Sequence, residues 1–308
     1  MKLQTILEVN DLSISFNMYQ STFRKGDLEV IHNLSLNVRK GEILAVVGSS
    51  GSGKSILASA ILGLLPVNHR MHGEILYKGE PLDKKSRSSH LGKEIAYIPQ
   101  SVDFLDPLMK VGRQVIGVSG TAERQKELFS RFGLSPQVAE MYPHELSGGM
   151  ARRVLICAAM MGKPDLLVAD EPTPGLDIQM ALETLRTFRK IADEGAAIML
   201  ITHDINLAFQ VADRIAVFYA GTIVEIEPTK MFLAGKEALL HPYSRAFIDA
   251  LPQNDFKPIS GIQPYAGALP SGCLFSPRCP WRDEKCEGKI PMRTIGEGNV
   301  RCVHAAER

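Results

Sequence analysis

The stretch Gly48-Ser49-Ser50-Gly51-Ser52-Gly53-Lys54-Ser55 decides the fold of this chain. An apolar run precedes it at residues 43–47, and a segment typical of a helix follows it at 56–62. Together they form the pattern G-x-x-x-x-G-K-S in the order strand, loop, helix. Glycines let backbone N–H groups approach a phosphate, Lys54 adds a mobile positive charge, and the Ser55 hydroxyl can bind magnesium. The sequence therefore predicts an α/β protein that binds ATP or GTP.

A Leu-Ser-Gly-Gly sequence at residues 146–149 leads into a second helix-like segment, which has the glycine pair at its start. The first turn of a helix exposes unpaired N–H groups at the positive end of its dipole, so this segment can hold an anion.

Two later strands deliver polar groups at their ends. The apolar run 166–169 leads into Asp170 and Glu171, and the run 196–202 leads into His203. Ligands gather at the carboxyl ends of strands in open α/β sheets. Asp170 is suited to the role of a magnesium ligand, and Glu171 is suited to polarise a water molecule.

In this order, the four segments resemble the nucleotide-binding subunits of ABC transporters over roughly the first 235 residues. The resemblance implies a P-loop NTPase core with a mostly parallel sheet, an antiparallel N-terminal β portion, and a helical subdomain at about residues 101–161. It also implies that two subunits close head to tail around ATP. The residues Ser147, Gly148 and Gly149 would then contact the partner's nucleotide.

The resemblance assigns further roles by motif. Gln100 matches the glutamine that ligates magnesium and senses the γ-phosphate, and Asp177 matches the loop that crosses the dimer interface. Phe16 stands about where an aromatic ring stacks on adenine, although Tyr19 and Phe23 compete for that role. We therefore predict an ATPase with ATP and Mg2+ as cofactors.

The predicted site has three groups of residues. The catalytic group is Lys54, Gln100, Glu171 and His203. The nucleotide-binding group is Phe16, Gly48, Ser49, Ser50, Gly51, Ser52, Gly53, Lys54, Ser55, Ser147, Gly148, Gly149 and Asp177. The magnesium group is Ser55, Gln100 and Asp170.

Two departures from the family pattern lie near the expected dimer seam. Arg152 or its neighbour stands where family members usually carry glutamine, and Pro174-Gly175 replaces threonine and alanine. These changes leave the detailed contacts across the interface open.

The C-terminal region, residues 236–308, is rich in Pro, Gly and Cys. Its segments 241–252 and 271–280 are similar to sequences that follow the cassette in oligopeptide, dipeptide and nickel importers. Of five cysteines, four lie here, a clustering that indicates metal binding in a cytosolic protein; they are Cys273, Cys279, Cys286 and Cys302. Their spacing fits neither a zinc finger nor a ferredoxin. The resemblance implies a 4Fe-4S cluster, with Zn2+ and free thiols as alternatives.

Composition limits the remaining classes of function. The 308 residues are 45% hydrophobic and carry a net charge of only +1. This charge lacks the excess of basic residues that is typical of a protein that binds nucleic acid. No apolar stretch approaches the roughly 18–20 residues that span a bilayer, and the N-terminus shows no signal peptide. Internal repeats are absent, which argues against two cassettes in one chain. We therefore expect a peripheral protein at the cytoplasmic face of the inner membrane.

Taken together, the sequence predicts the ATP-hydrolysing subunit of a bacterial-type importer for peptides, nickel or a related small solute. Its partners would be two transmembrane permease subunits, a second ATPase or a copy of itself, and indirectly an extracytoplasmic solute-binding protein. Residues 1–235 would form the ATPase domain and 236–308 an extension. The alternatives are a soluble ABC ATPase that acts on nucleic acid or ribosomes, and a P-loop kinase or GTPase.

Overall fold

The structure is a computed structural model that describes residues 4–21, 24–118, 120–254 and 256–305. The strands are β1 (Thr5–Ser21), β2 (Arg24–Arg39), β3 (Ile43–Val47), β4 (His69–Tyr77), β5 (Glu80–Pro81), β6 (Ile95–Ile98), β7 (Leu166–Asp170), β8 (Ala197–Thr202), β9 (Arg214–Tyr219), β10 (Thr222–Pro228), β11 (Arg293–Ile295) and β12 (Gly298–Val300). The helices are α1 (Lys54–Leu62), α2 (Lys84–His90), α3 (Val111–Ile116), α4 (Ala122–Arg131), α5 (Gly148–Ala159), α6 (Ile178–Asp193), α7 (Ile205–Phe209), α8 (Thr229–Leu233) and α9 (Pro242–Asp249).

The main sheet has eight strands in the order β11-β12-β10-β9-β3-β8-β7-β6. Strands β9, β3, β8, β7 and β6 are parallel, and β10, β12 and β11 extend the sheet with antiparallel pairs. Every residue of β3, β7 and β8 is buried. Burial on both faces is the reason that these strands appear in the sequence as continuous apolar runs. The predicted mostly parallel α/β sheet is confirmed.

The N-terminal portion forms a separate antiparallel sheet in the order β2-β1-β4-β5. One face of β1 packs inward, with Leu12 and Ile14 fully buried. Alternation of buried and open positions is the expected pattern for a sheet with one face on a core. The predicted antiparallel N-terminal portion is confirmed.

Helices dominate between residues 101 and 161. Residues 122–132 have the hydrophobic spacing that predicts an amphipathic helix, and the structure contains α4 there. Thr121 caps α4 by accepting from the Arg124 N–H at 3.2 Å. Helix α5 begins at the glycine pair, as expected. The description of this region as a subdomain stays a prediction.

The C-terminal extension is joined to the main sheet. Strand β12 pairs with β10, and Gly298 lies so close to Glu227 that an added Cβ would be 2.1 Å from the carboxylate. Leu239, Tyr243 and Phe275 are buried in the same core cluster as the parallel strands. Residues on both sides of the predicted boundary at 235 therefore share a sheet and a core, and the boundary itself stays a prediction. Within the described residues, no helix is long and apolar enough to cross a membrane.

Candidate nucleotide site and cysteine pocket

The loop between β3 and α1 has the backbone that a phosphate site requires. Gly53 precedes α1 with φ 110°, a backbone conformation that residues other than glycine rarely adopt. No side chain caps the start of this helix. Gly48 packs against β9 so closely that a Cβ would lie 2.4 Å from the Phe218 carbonyl oxygen. The uncapped first turn leaves N–H groups directed at the loop, which is the arrangement that binds an anion.

Lys54 is buried inside this loop. Its Nζ donates to the carbonyl oxygens of Gly48 and Ser49, both at 2.9 Å. Burial lowers the pKa of Lys54, and the carboxylates of Glu171 and Asp170 oppose that shift. The ammonium group is thus held at the loop with carboxylates nearby as its counter-charges.

Asp170 ends β7 and is only 1% exposed. Burial raises the pKa of Asp170, and the nearby Ser55 hydroxyl opposes that shift. Among the described residues, Asp170 Oδ1 has no hydrogen-bond partner. A buried carboxylate oxygen without a donor, beside a hydroxyl, has the chemistry of an oxygen-ligand site for Mg2+.

Glu171 and His203 meet at the edge of the main sheet. Glu171 has a left-handed backbone, with φ 48°, and its N–H donates to the Ile201 carbonyl at 2.9 Å. Its carboxylate Oε2 lies 2.8 Å from His203 Nδ1. The Glu171 side chain is 7% exposed and that of His203 is 54% exposed. The strand ends therefore bring together the two groups that the sequence placed at this edge.

Gln100 is exposed just beyond β6, and its segment is held by Arg152. The buried Arg152 guanidinium donates to the carbonyl oxygens of Pro99 at 2.6 Å and of Gln100 at 2.5 Å. The sequence marked Arg152 only as a departure from the family pattern. The structure shows that it links α5 to the segment that carries Gln100.

Ser147, Gly148 and Asp177 are exposed. Ser147 Oγ accepts from the Met150 N–H at 3.2 Å, and Asp177 Oδ1 accepts from the Met180 N–H at 2.9 Å. These bonds cap α5 and α6. Gly149 lies near the Asp177 loop, since its added Cβ would be 3.4 Å from the Gly175 carbonyl oxygen. The Leu-Ser-Gly-Gly start of α5 and the Asp177 loop thus lie next to each other on the surface.

Phe16 lies in β1 between Leu28 of β2 and His69 of β4, and it packs partly against the core. Phe23 lies outside the described residues, and only the backbone of Tyr19 is described. The choice of the adenine-stacking ring stays a prediction.

Four cysteines of the extension line one small cavity, which we call the cysteine pocket: Cys273, Cys279, Cys286 and Cys302. No disulfide joins any of the five cysteines, all of which are in the described part of the chain. Burial raises the pKa of Cys273 to about 11 and also raises those of Cys279 and Cys302. Four convergent thiols fit the ligand number of a zinc or iron–sulfur site.

His304 lines the cysteine pocket and Asp283 lies beside Cys286, and sequence analysis missed both. His304 Nε2 lies 3.5 Å from Cys286 Sγ and 3.2 Å from Asp283 Oδ1. The short spacing between Cys302 and His304 was the signal that could have found the histidine. Cys157 lies apart in α5, fully buried in the core, where a lone cysteine acts as a small hydrophobic residue.

Comparison with known proteins agrees with this geometry. Residues 31–174 match the family "ABC transporter", and residues 224–286 match the "Oligopeptide/dipeptide transporter, C-terminal region". The dipeptide transport ATP-binding protein DppD of Escherichia coli is 34% identical over 97% of this chain and 96% of its own length. The oligopeptide transport ATP-binding protein OppD of Salmonella typhimurium is 33% identical over 96% of this chain and 92% of its own length.

Solved structures show the same fold. A dimeric bacterial ABC transporter cassette, MJ0796, has a TM-score of 0.64 and 25% identity, and the match covers 73% of this chain and 99% of that one. An ATP-binding subunit of an ABC transporter has a TM-score of 0.59 and 25% identity, over 72% of this chain and 90% of that one. Fold and site thus define an ATP-binding cassette.

The chain belongs to the ABC transporter family, in the group whose ATP-binding subunits carry the oligopeptide/dipeptide C-terminal region. The resemblance and the fold class predicted from the sequence are confirmed, as is the prediction of an ABC-type ATPase.

Proposed function

We propose that this chain is the ATP-hydrolysing subunit of an importer for dipeptides or oligopeptides. One observation carries the proposal: the nucleotide site and the peptide-transporter extension occur together, and the similar peptide-transport proteins align over nearly the whole chain. The names of those relatives favour peptides over nickel.

In the proposed mechanism, the N–H groups of the phosphate loop and the Lys54 ammonium bind the nucleotide phosphates. Ser55, Asp170 and Gln100 would hold Mg2+, which supplies positive charge for the transferred phosphoryl group. Support comes from the unpartnered Oδ1 of Asp170 beside the Ser55 hydroxyl.

Glu171 orients the attacking water and accepts its proton, and His203 holds the Glu171 carboxylate in place. The 2.8 Å contact between them supports this division of roles. The water attacks the γ-phosphorus, and the bond from that phosphorus to the bridging oxygen of ADP breaks.

A second subunit completes the site in this proposal. Ser147, Gly148, Gly149 and Asp177 of one subunit face the nucleotide on the phosphate loop of the other. The exposure of the Leu-Ser-Gly-Gly helix start and its closeness to the Asp177 loop support this arrangement. Opening and closing of the pair would then drive two permease subunits at the cytoplasmic face of the inner membrane, with an extracytoplasmic binding protein delivering the peptide.

We also propose that the cysteine pocket holds a metal group, a 4Fe-4S cluster in preference to Zn2+. The convergence of four thiols on one cavity, two of them on buried cysteines and two on partly buried ones, supports metal binding. Neutral thiols in an apolar cavity become good ligands once a metal displaces their protons. The group would fasten irregular segments that have little secondary structure of their own.

The test is affinity purification of the tagged chain from detergent-solubilised native membranes, under anaerobic conditions, with mass spectrometry of everything retained. Recovery of two multi-span permeases and an ATPase partner is the expected result. Co-purification of ribosomal proteins or nucleic acid would instead support the soluble ABC ATPase and overturn the transport proposal.

A further inference from the structure

The C-terminal extension reaches the phosphate loop. Ser49 Oγ donates to Gln263 Oε1 at 3.2 Å, across 214 positions of sequence. The Tyr243 hydroxyl also lies close to the Ser49 side chain. Because the Ser49 proton is directed at Gln263, the Ser49 oxygen is free to accept from the Tyr243 hydroxyl. A loop residue of the nucleotide site is therefore hydrogen-bonded to one side chain of the extension and lies beside a second.

Tyr243 is fixed by aromatic packing. It is 3% exposed, and its ring centroid lies 4.4 Å from that of Tyr219 and 5.4 Å from that of Phe275. Tyr219 directly follows Phe218, whose carbonyl oxygen packs against Gly48. The same buried wall, formed by Phe218 and Tyr219 of β9, thus supports both the phosphate loop and the tyrosine that lies beside Ser49.

The segment that carries Gln263 is fixed by Arg278. The Arg278 guanidinium donates to the carbonyl oxygens of Ser260 at 2.8 Å and Ile259 at 2.9 Å, and to the Tyr219 hydroxyl at 3.3 Å. Gln263 follows three residues after Ser260. It is therefore anchored to the same wall as Tyr243, although it lies in a stretch without helix or strand.

We propose that Gln263 and Tyr243 are positioning residues for nucleotide binding, which hold the exposed part of the phosphate loop in its binding conformation through Ser49. This inference rests on the proposed ATPase function. A loop rich in glycine and serine loses much conformational entropy when it closes on phosphates, and contacts that order it in advance reduce that loss. The extension would thereby raise nucleotide affinity without touching the nucleotide.

The position of Ser49 gives the proposal a specific signature. Loops of this pattern cradle the α- and β-phosphates, which ATP and ADP share. Loss of the Ser49 contact should therefore reduce the affinity for ATP and the affinity for ADP by the same factor. Loss of a residue that senses the γ-phosphate would instead reduce the affinity for ATP alone.

The experiment measures dissociation constants of MgATP and MgADP by calorimetry for the full chain. The variants are Gln263→Ala, Ser49→Ala and their double mutant, with Tyr243→Phe as a variant that removes only a hydroxyl. Thr294→Ala serves as a matched control, because Thr294 makes an exposed 2.9 Å hydrogen bond to Asn299 in the β11–β12 hairpin of the same extension. Steady-state hydrolysis supplies KM and kcat for each variant.

We expect Gln263→Ala to raise both dissociation constants by about two- to ten-fold, the range for one hydrogen bond, with kcat changed less than KM. The dissociation constants of the double mutant should not exceed those of the single variant that binds nucleotide less tightly. Thr294→Ala should bind both nucleotides like the wild type. Affinities of Gln263→Ala equal to wild type, additive losses, or a loss for ATP alone would each overturn the positioning role. Failure of the wild-type chain to bind ATP would instead overturn the proposed function, and this inference with it.

Discussion

His203 Nδ1 lies 2.8 Å from Glu171 Oε2, and this contact joins the ends of the adjacent parallel strands β7 and β8. The carboxylate is nearly buried, whereas more than half of the histidine side chain is exposed. The pair therefore has one member fixed in the protein and one open to the site. An oriented carboxylate at a phosphate-binding edge is suited to act on water.

Replacement of Glu171 by glutamine should separate binding from hydrolysis. Glu171→Gln keeps the shape of the side chain but removes its basicity, so we expect ATP affinity near wild type and turnover lower by about 10²–10⁴-fold. Measurement of phosphate release alongside equilibrium ATP binding tests this. Glu183→Gln, on the exposed face of α6, is the control and should leave both unchanged. Unimpaired hydrolysis by Glu171→Gln would exclude Glu171 as the base.

A bulky charge at the start of α5 should block the shared site. Ser147→Arg places a cation at an exposed helix start that, in the proposed dimer, faces the partner's nucleotide. We expect nucleotide binding to stay near wild type while steady-state turnover falls by at least about ten-fold. Ser88→Arg, on the exposed helix α2, introduces the same side chain elsewhere and should have no effect. Wild-type turnover in Ser147→Arg would contradict the two-subunit site.

The buried Glu227 should make stability depend on pH. Burial and the neighbouring Glu225 raise the pKa of Glu227 from 4.5 to about 7. Between these values the unfolded chain loses the proton while the folded protein keeps it, so the free energy of unfolding falls as pH rises from 4.5 to 7. At pH values above that window, the free energy of unfolding has lost the whole contribution of this proton.

Glu227→Gln cannot ionise, so its melting temperature should exceed that of wild type most at pH 8 and least at pH 5. A gain of about 2–4 °C is expected for each kcal/mol recovered. Thermal unfolding at the two pH values measures the difference, with Glu183→Gln again as control. An equal shift at both pH values would mean that packing against Gly298, rather than ionisation, sets the effect.

Metal content tests the cysteine pocket. Anaerobically purified protein should contain about four irons and four acid-labile sulfides per chain. Replacement of Cys273 or Cys286 by serine should reduce that content severely, whereas Cys157→Ala, a change in the core away from the pocket, should retain it. Stoichiometric zinc without sulfide would establish the Zn2+ alternative, and protein free of both metals would leave four thiols as the correct description.

Much of the core was predictable from local patterns. The phosphate loop and the strands that end at Asp170 and His203 depend on residue types at fixed spacing, and buried parallel strands leave continuous apolar runs. The turn sequence Ala220-Gly221 between two apolar runs likewise predicts an antiparallel hairpin, and the structure contains it as β9 and β10. In these segments the local preference and the tertiary environment agree.

Contacts made by long side chains or irregular segments were not predictable. Arg152 looked like a departure from a pattern until its bonds to Pro99 and Gln100 were seen. The meeting of His304 with Cys286 depends on a stretch that has no regular period. A hydrogen bond between loops leaves no periodic signal in the sequence.

The sequence by itself determined the class of fold, the phosphate loop and the placement of polar groups at the ends of strands, because each is encoded by short-range spacing. Only the tertiary structure decided which distant groups meet: Glu171 with His203, four cysteines in one pocket, and Ser49 with Gln263. The physical reason is that packing against a shared buried wall, rather than any local pattern, brings the extension to the phosphate loop.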